Sequence, residues 1–212
     1  MKRQAGFTLV EIAIVLVIIG LLLGGVLKGQ ELIESAKVKN IAQDMRAISV
    51  AVLTYQDKYR ALPGDDPRAA GGANPRWPGA CAPVGATVGN GLIDGAWNAA
   101  TPAEPFCVWD HLRRANLLTG DAATGGNPSH ADAGHFGVTS AAASAAVTDV
   151  SGTLIVCADN IRGRHVIALD AMLDDGDIHT GSMRALAGNV AGPSVAAGAI
   201  PDGASFLVCM GF

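Results

Sequence analysis

From Phe7 to Leu27 every position is apolar except Thr8, Glu11 and the glycines at 20, 24 and 25. A helix of that length, rising about 1.5 Å per residue, is roughly 30 Å long, enough to cross the hydrocarbon core of a bilayer. The pattern then becomes one-sided. Val38, Ile41, Met45, Ile48, Val52, Tyr55 and Tyr59 recur at alternating steps of three and four, while Lys37, Lys39, Gln43, Asp44, Arg46 and Gln56 fall largely off that stripe. The spacing predicts one helix from about Phe7 to about Tyr59, apolar all round over residues 7–27 and amphipathic over 28–60. Its length is roughly 80 Å. A coiled-coil seam has the same spacing, but about three heptads ending in aromatics favour packing against the chain's own head.

Pro63 stops this helix. Leu62-Pro63-Gly64-Asp65-Asp66-Pro67 is dense in turn residues, and residues 61–151 read as a loop-rich region. Trp77 and Cys81 are expected to tether its first part, and Gly89-Asn90-Gly91 and Asp94-Gly95 favour tight turns. A short helix is expected near 106–118. Thr101-Pro102-Ala103-Glu104 carries capping-box residues, Phe106, Trp109, Leu112 and Leu117 supply an apolar face, and Gly120 suits its stop. Residues 119–151 have little periodicity, and only Phe136–Thr139 invites a short strand. After Gly152, apolar runs of strand length at Thr153–Ala158, His165–Leu169 and Ser205–Met210 make residues 152–212 a β-rich head. Three or more antiparallel strands laid on the upper helix would bury its stripe, giving an α+β fold.

Glu11 breaks the apolar pattern. A lone carboxylate in hydrocarbon costs about 2.5 to 3.5 kcal/mol at a helix centre, and less near the end of a segment. Such a residue calls for a partner. Cutting the chain between Gly6 and Phe7 supplies one, because the new amino group on Phe7 lies one helical turn from Glu11 and is positively charged. A neighbouring copy supplies the same amine equally well.

Lys2 and Arg3, then Gly6-Phe7-Thr8-Leu9-Val10-Glu11 and an uninterrupted apolar helix, resemble the leader and N-terminus of type IV pilins and pseudopilins. The resemblance implies a leader of residues 1–6, cleavage between Gly6 and Phe7 by prepilin peptidase and methylation of the new Phe7 amine. It also implies that Glu11 aligns subunits, and that the head is α+β. Gly20 falls where many pilins carry glycine. The proline that often bends this helix is absent, with Lys28 in its place. Gly24, Gly25 and Gly29 weaken the helix there by roughly 0.5 to 1 kcal/mol each relative to Ala. Two plainer readings compete. An ordinary secretory signal has a shorter apolar region with the cleavage site after it. A simple single-pass anchor fits the length and the basic start, which keeps Met1–Gly6 cytoplasmic, but it gives Glu11 no role.

The chain has 15 basic and 19 acidic residues, net −4, and loss of Lys2 and Arg3 leaves 13 against 19, net −6. Such a chain has no general pull on nucleic acid, and no direct nucleic-acid binding is expected. Beyond the anchor, roughly 150 residues suffice for one modest domain with its own core. The 27 glycines and 10 prolines, with only 16% charged residues, suggest a loop-rich domain that lives packed among copies of itself. Cys81, Cys107, Cys157 and Cys209 lie in the part that this topology places outside the cytoplasm, where disulfides persist. Three pairings are possible. Cys157 with Cys209 is preferred because both sit in β-like runs, and Cys81 with Cys107 would staple a loop. No C-x-x-C or paired-histidine spacing points to a metal at these cysteines.

Leu169–Asp177 gathers four carboxylates, and Asp174, Asp175 and Asp177 are candidate calcium ligands, since hard cations need clustered oxygens. The spacing is not that of an EF-hand, and a solvated turn accounts for the same residues. Asn90 and Asp94 invite the same reading. Otherwise no cofactor is expected. His111, His130, His135, His165 and His179 are scattered without ligand-like spacing and read as exposed or capping side chains. No serine lies in a G-x-S-x-G context and no glycine-rich phosphate cradle is present, so no catalytic residue is assigned and no enzyme is expected.

These readings converge on a structural subunit of a type IV pilus-like filament serving adhesion, motility or DNA uptake. Its partners would be other pilin-like subunits, prepilin peptidase, an inner-membrane assembly platform and the lipid bilayer. Before assembly it would sit in the inner membrane with its head in the periplasm, and afterwards in an extracellular or periplasm-spanning filament. A pseudopilin of type II secretion is the first alternative, although Tyr59-Arg60-Ala61-Leu62-Pro63 departs from the tyrosine-proline loop of the major secretion pseudopilin. A membrane-anchored binding module that never polymerises is the second.

Overall fold

The computed structural model of the chain describes residues 8–85, 87–99, 102–122, 126–140, 150–188 and 200–212. The chain divides into two units, Met1–Lys37 and Val38–Phe212. Helix α1, Leu9–Tyr59, begins in the first and ends in the second. Within the first unit it runs through Gly24, Gly25 and Gly29 without a break, and a Cβ at any of the three would meet open space. Pairs one turn apart, Lys28 to Glu31 at 2.6 Å and Lys37 to Glu34 at 3.5 Å, add a few tenths of a kcal/mol each.

Within the second unit, α1 buries the stripe read from the sequence: Val38, Ile41, Met45, Ile48, Val52 and Tyr55, with Tyr59 half-buried. The helix stops because Arg60 takes a left-handed backbone, φ 57°, and Pro63 follows. Helix α2, Glu104–Arg114, starts and ends earlier than the expected 106–118. Its N-cap is Ala103 with no side-chain cap, and Thr101 of the expected capping box lies outside the described residues; Pro105 sits in the first turn, where a missing N–H costs nothing. Asn116, at φ 58°, turns the chain out of the helix.

Four strands form one antiparallel sheet: β1 Phe136–Thr139, β2 Ile155–Arg162, β3 Met183–Ala187 and β4 Ser205–Gly211, in the order β1-β2-β4-β3. Between β2 and β3 lies helix α3, Gly163–Leu173. This corrects the strand expected at His165–Leu169: the run His-Val-Ile-Ala-Leu is short enough to serve either period, and Val166, Leu169 and Leu173 bury the helical set. Strand β3, Met-Arg-Ala-Leu-Ala, has no β-branched residue and was not foreseen.

The sheet is buried on both faces. Val138, Val156, Ala158, Ile161, Met183, Ala185, Phe206, Val208 and Met210 join one hydrophobic cluster with the α1 stripe and with Val108, Trp109 and Leu112 of α2. Ile155, Cys157, Leu186, Leu207 and Cys209 face the other way, onto Trp97 and Val150. Ala158 and Ile161 share a face although three residues apart, because a bulge shifts the register between them and Asn160 takes φ 53°. Gly137 on β1 is dictated by Trp97, whose carbonyl oxygen would lie 2.2 Å from a Cβ there.

Candidate functional site

Gly6 and Phe7 lie outside the described residues, which begin at Thr8. Thr8 and Glu11 form a reciprocal pair at the mouth of α1. Glu11 Oε2 accepts the Thr8 N–H and the Thr8 hydroxyl, both at 2.7 Å, and Thr8 Oγ1 accepts the Glu11 N–H at 3.3 Å. This is the capping box expected of a T-x-x-E sequence. A carboxylate in the first turn also faces the positive end of the helix dipole. Glu11 therefore has local partners, a role that sequence reasoning missed by treating it as lone.

The surface that follows is apolar on all sides. From Leu9 to Leu27 every large apolar side chain is exposed, and the most apolar 18-residue window of α1, of mean hydropathy 2.8, has none of its length buried in the protein. By length and composition α1 is able to cross a membrane. Leaving such a surface in water forfeits about 25 cal/mol for each Å².

Residues 1–27 match the family model for the prokaryotic N-terminal methylation motif, the signature of type IV prepilins. The N-terminus is of the prepilin type. No match was found among curated proteins or among solved structures. The motif supports a type IV pilin or pseudopilin-like subunit and points to a structural role. It implies processing by prepilin peptidase and polymerisation with pilin-like subunits, and with the apolar helix it fits a single-pass inner-membrane anchor before assembly.

Behind this prepilin-type segment the head is stapled twice. Cys81 joins Cys107, and Cys157 joins Cys209. The second bridge links directly opposed residues of β2 and β4, while the first ties the loop after α1 to α2.

Loops without regular structure are held by buried acids. Asp65 accepts the backbone N–H groups of Gly89, Asn90 and Gly91. Its neighbour Asp66 accepts the Tyr55 hydroxyl at 2.8 Å, the Arg68 N–H at 2.9 Å and the Arg76 guanidinium. Burial pushes the Asp66 carboxyl up, but those hydrogen bonds outweigh it and hold its pKa below the ordinary value. Arg76 also lies 4.1 Å from the Tyr59 ring centre and 5.3 Å from that of Trp77. Glu104, fully buried, accepts the Asp94 N–H at 2.6 Å. Burial and the charges of Asp65 and Asp94 raise its pKa to about 7 against that hydrogen bond.

Three of the five histidines are buried rather than exposed. His111 accepts the Gly64 N–H at Nδ1 and donates from Nε2 to the Cys81 carbonyl, each at 2.9 Å, so it bridges two loops as a neutral ring. His130 does the same between the Asp132 N–H and the Asp159 carbonyl, and burial lowers the pKa of both rings. His165 Nδ1 lies 2.6 Å from Asp132 Oδ2. Loop fixation accounts for these rings.

Of the candidate calcium ligands, Asp174 and Asp175 come together with Asp170, each offering an oxygen within 4.8 Å of the others. Asp177 instead accepts the His179 N–H at 3.0 Å. Asn90 and Asp94 hydrogen-bond to each other at 2.7 Å.

Proposed function

We propose that this chain is a structural subunit of a type IV pilus-like filament. It is cut between Gly6 and Phe7 by prepilin peptidase, methylated on the Phe7 amine, and assembled through its N-terminal helix by an inner-membrane platform. The observation that carries this reading is an apolar surface, exposed from Leu9 to Leu27, that lies within the methylation motif of residues 1–27 and bears one acid, Glu11. Assembly then moves the helix from lipid into a core of like helices, so its apolar area never enters water. The head waits in the periplasm, where its two disulfides persist. Ordering the subunits requires an external motor, since the sequence has no phosphate-binding loop.

The test has two steps. Mass spectrometry of the mature protein is expected to find a chain starting at N-methylated Phe7, and an intact Met1 overturns the reading. Filaments sheared from cells are then expected to contain the chain. Their absence together with lost exoprotein secretion on deletion assigns it to a secretion pseudopilin. Their absence with secretion intact, and function unaffected by Glu11→Ala, assigns it to a membrane-anchored binding module.

A further inference from the structure

Asn90 is the one asparagine in the chain that is followed by glycine, and both residues are exposed. In such a pair the glycine nitrogen, with no neighbouring Cβ to hinder it, is able to attack the asparagine side chain. A bond forms from Gly91 N to Asn90 Cγ, the Cγ–Nδ2 bond breaks, and Nδ2 leaves as ammonia with the proton that Gly91 gives up. Water then opens the cyclic imide to aspartate or isoaspartate. The folded head holds the pair away from this reaction. An imide nitrogen is planar, so Cγ has to come where the Gly91 amide hydrogen now points. Asp65 Oδ2 stands there, 2.7 Å from the Gly91 nitrogen. The Asn90 side chain is tethered at both ends, Oδ1 accepting the Leu92 N–H at 2.8 Å and Nδ2 donating to Asp94 Oδ2 at 2.7 Å. Ring closure has to break these hydrogen bonds first.

The same contacts make conversion one-way. A carboxylate at position 90 has no N–H to give Asp94 and opposes it instead. Behind Asp94 stand two buried acids, Asp65 and Glu104, and Glu104 Oε2 accepts the Asp94 N–H at 2.6 Å. Among the described residues no lysine or arginine hydrogen-bonds to Asp65, Asp94 or Glu104. A further negative charge therefore meets like charges with no cation between them, which disfavours reclosure of the loop. The release ends at Ile93. That residue is buried, its N–H donates to Ser140 Oγ at 2.9 Å, and its carbonyl accepts the Ser140 N–H at 3.1 Å, so it stays pinned beside the end of β1.

We propose that Asn90-Gly91 is a latent deamidation site, kept closed by Asp65 and Asp94, and that its conversion frees Gly89–Leu92 irreversibly. The reaction needs only water. A head whose loop opens long enough for the ring to close is marked permanently by an added negative charge. Gly91 and Leu92 line a cavity with Val52, Leu53, Leu62 and Leu154, so their release bares the apolar upper end of α1.

The full chain in detergent at neutral pH tests this, with mass spectrometry of its peptides reading the amide-to-acid mass change and isoaspartate at position 90. The folded chain is expected to convert at least about tenfold more slowly than the same chain unfolded in urea, because ring closure waits on opening of the loop. Asp94→Ala, at a half-buried loop position, is expected to speed conversion of the folded chain about fivefold, the worth of one hydrogen bond. Asp65→Asn, which keeps the shape but loosens the hold on the Gly91 N–H, is expected to do at least as much. Asn90→Asp reproduces the product, and thermolysin is expected to cut it near Leu92 about tenfold faster than Asn90→Ser, which loses the amide without gaining a charge. A folded chain that converts as fast as the unfolded one, unchanged conversion in both Asp94→Ala and Asp65→Asn, or equal digestion of Asn90→Asp and Asn90→Ser each overturns the proposal.

Discussion

Glu11 Oε2 stands 2.7 Å from both the amide nitrogen and the hydroxyl of Thr8, so the acid that interrupts the apolar segment also caps the helix that carries it. Two jobs are thereby open to one side chain, and they separate by charge. Glutamine retains a capping oxygen but no charge, and alanine retains neither. If pairing with a neighbour's Phe7 amine drives assembly, Glu11→Gln and Glu11→Ala both process normally and both yield far fewer filaments. If capping alone matters, only Glu11→Ala and Thr8→Ala lose filaments, with about 0.5 to 2 kcal/mol removed from the helix terminus. We expect the first pattern, read by electron microscopy of sheared filaments.

Arg76 neutralises a carboxylate that water does not reach. Asp66 is buried, and Arg76 is its only charged hydrogen-bonding partner among the described residues. Arg76→Ala is expected to destabilise the head by about 3 to 5 kcal/mol, because it strands a buried charge. Replacing both Arg76 and Asp66 with apolar residues should cost less than Arg76→Ala alone. Urea unfolding of the single and double variants measures this, and a double variant worse than the single contradicts it.

The elements legible in the sequence were those with a strong period. The α1 stripe from Val38 to Tyr55 is buried as its spacing requires, and Phe136–Thr139 and Ser205–Met210 lie in strands. The ambiguous runs failed. His165–Leu169 became helix once Gly163, packed against the Pro201 carbonyl, gave it a tight start, and the alanine-rich β3 carried no β signature. At the N-terminus, residue identity and spacing singled out Glu11, whereas its pairing with Thr8 came from the structure. In the head, Asp65 and Glu104 owe their importance to residues brought near by the fold. No local pattern reveals a carboxylate that binds amides more than twenty residues away, as Asp65 does at Gly89, Asn90 and Gly91.

The two disulfides differ in exposure, which orders their reduction. Cys157 and Cys209 are fully buried within the sheet, whereas Cys81 is half-buried at the surface. Under mild reductant, alkylation and mass spectrometry are expected to find Cys81 and Cys107 labelled first, with Cys157 and Cys209 labelled only as the head unfolds. Simultaneous labelling of all four would contradict this order. The buried bridge also closes the longer stretch of chain, 52 residues against 26, so a Cys157→Ala, Cys209→Ala double variant should lose about 4 kcal/mol and the other pair about 3.5.

Glu104 should make the head less stable as pH rises through neutrality. Its folded pKa is raised from 4.5 to about 7, so the folded chain holds the proton more tightly than the unfolded chain does. Below about pH 4.5 both states are protonated and the residue contributes no pH dependence. Between 4.5 and 7 the unfolded chain ionises freely while the folded chain resists, and stability falls with rising pH, levelling off above 7 at a loss of roughly 3 kcal/mol. Burial lowers the pKa of His111 and His130 as well, so the folded head carries other pH-dependent groups and the informative quantity is the difference between Glu104→Gln and the parent. Glutamine keeps an oxygen for the Asp94 N–H and removes the ionisation. Relative to the parent, the variant is expected to gain roughly 2.5 kcal/mol on going from pH 5 to pH 8 in urea unfolding. A difference that stays constant across that range would show that Glu104 does not titrate between the two.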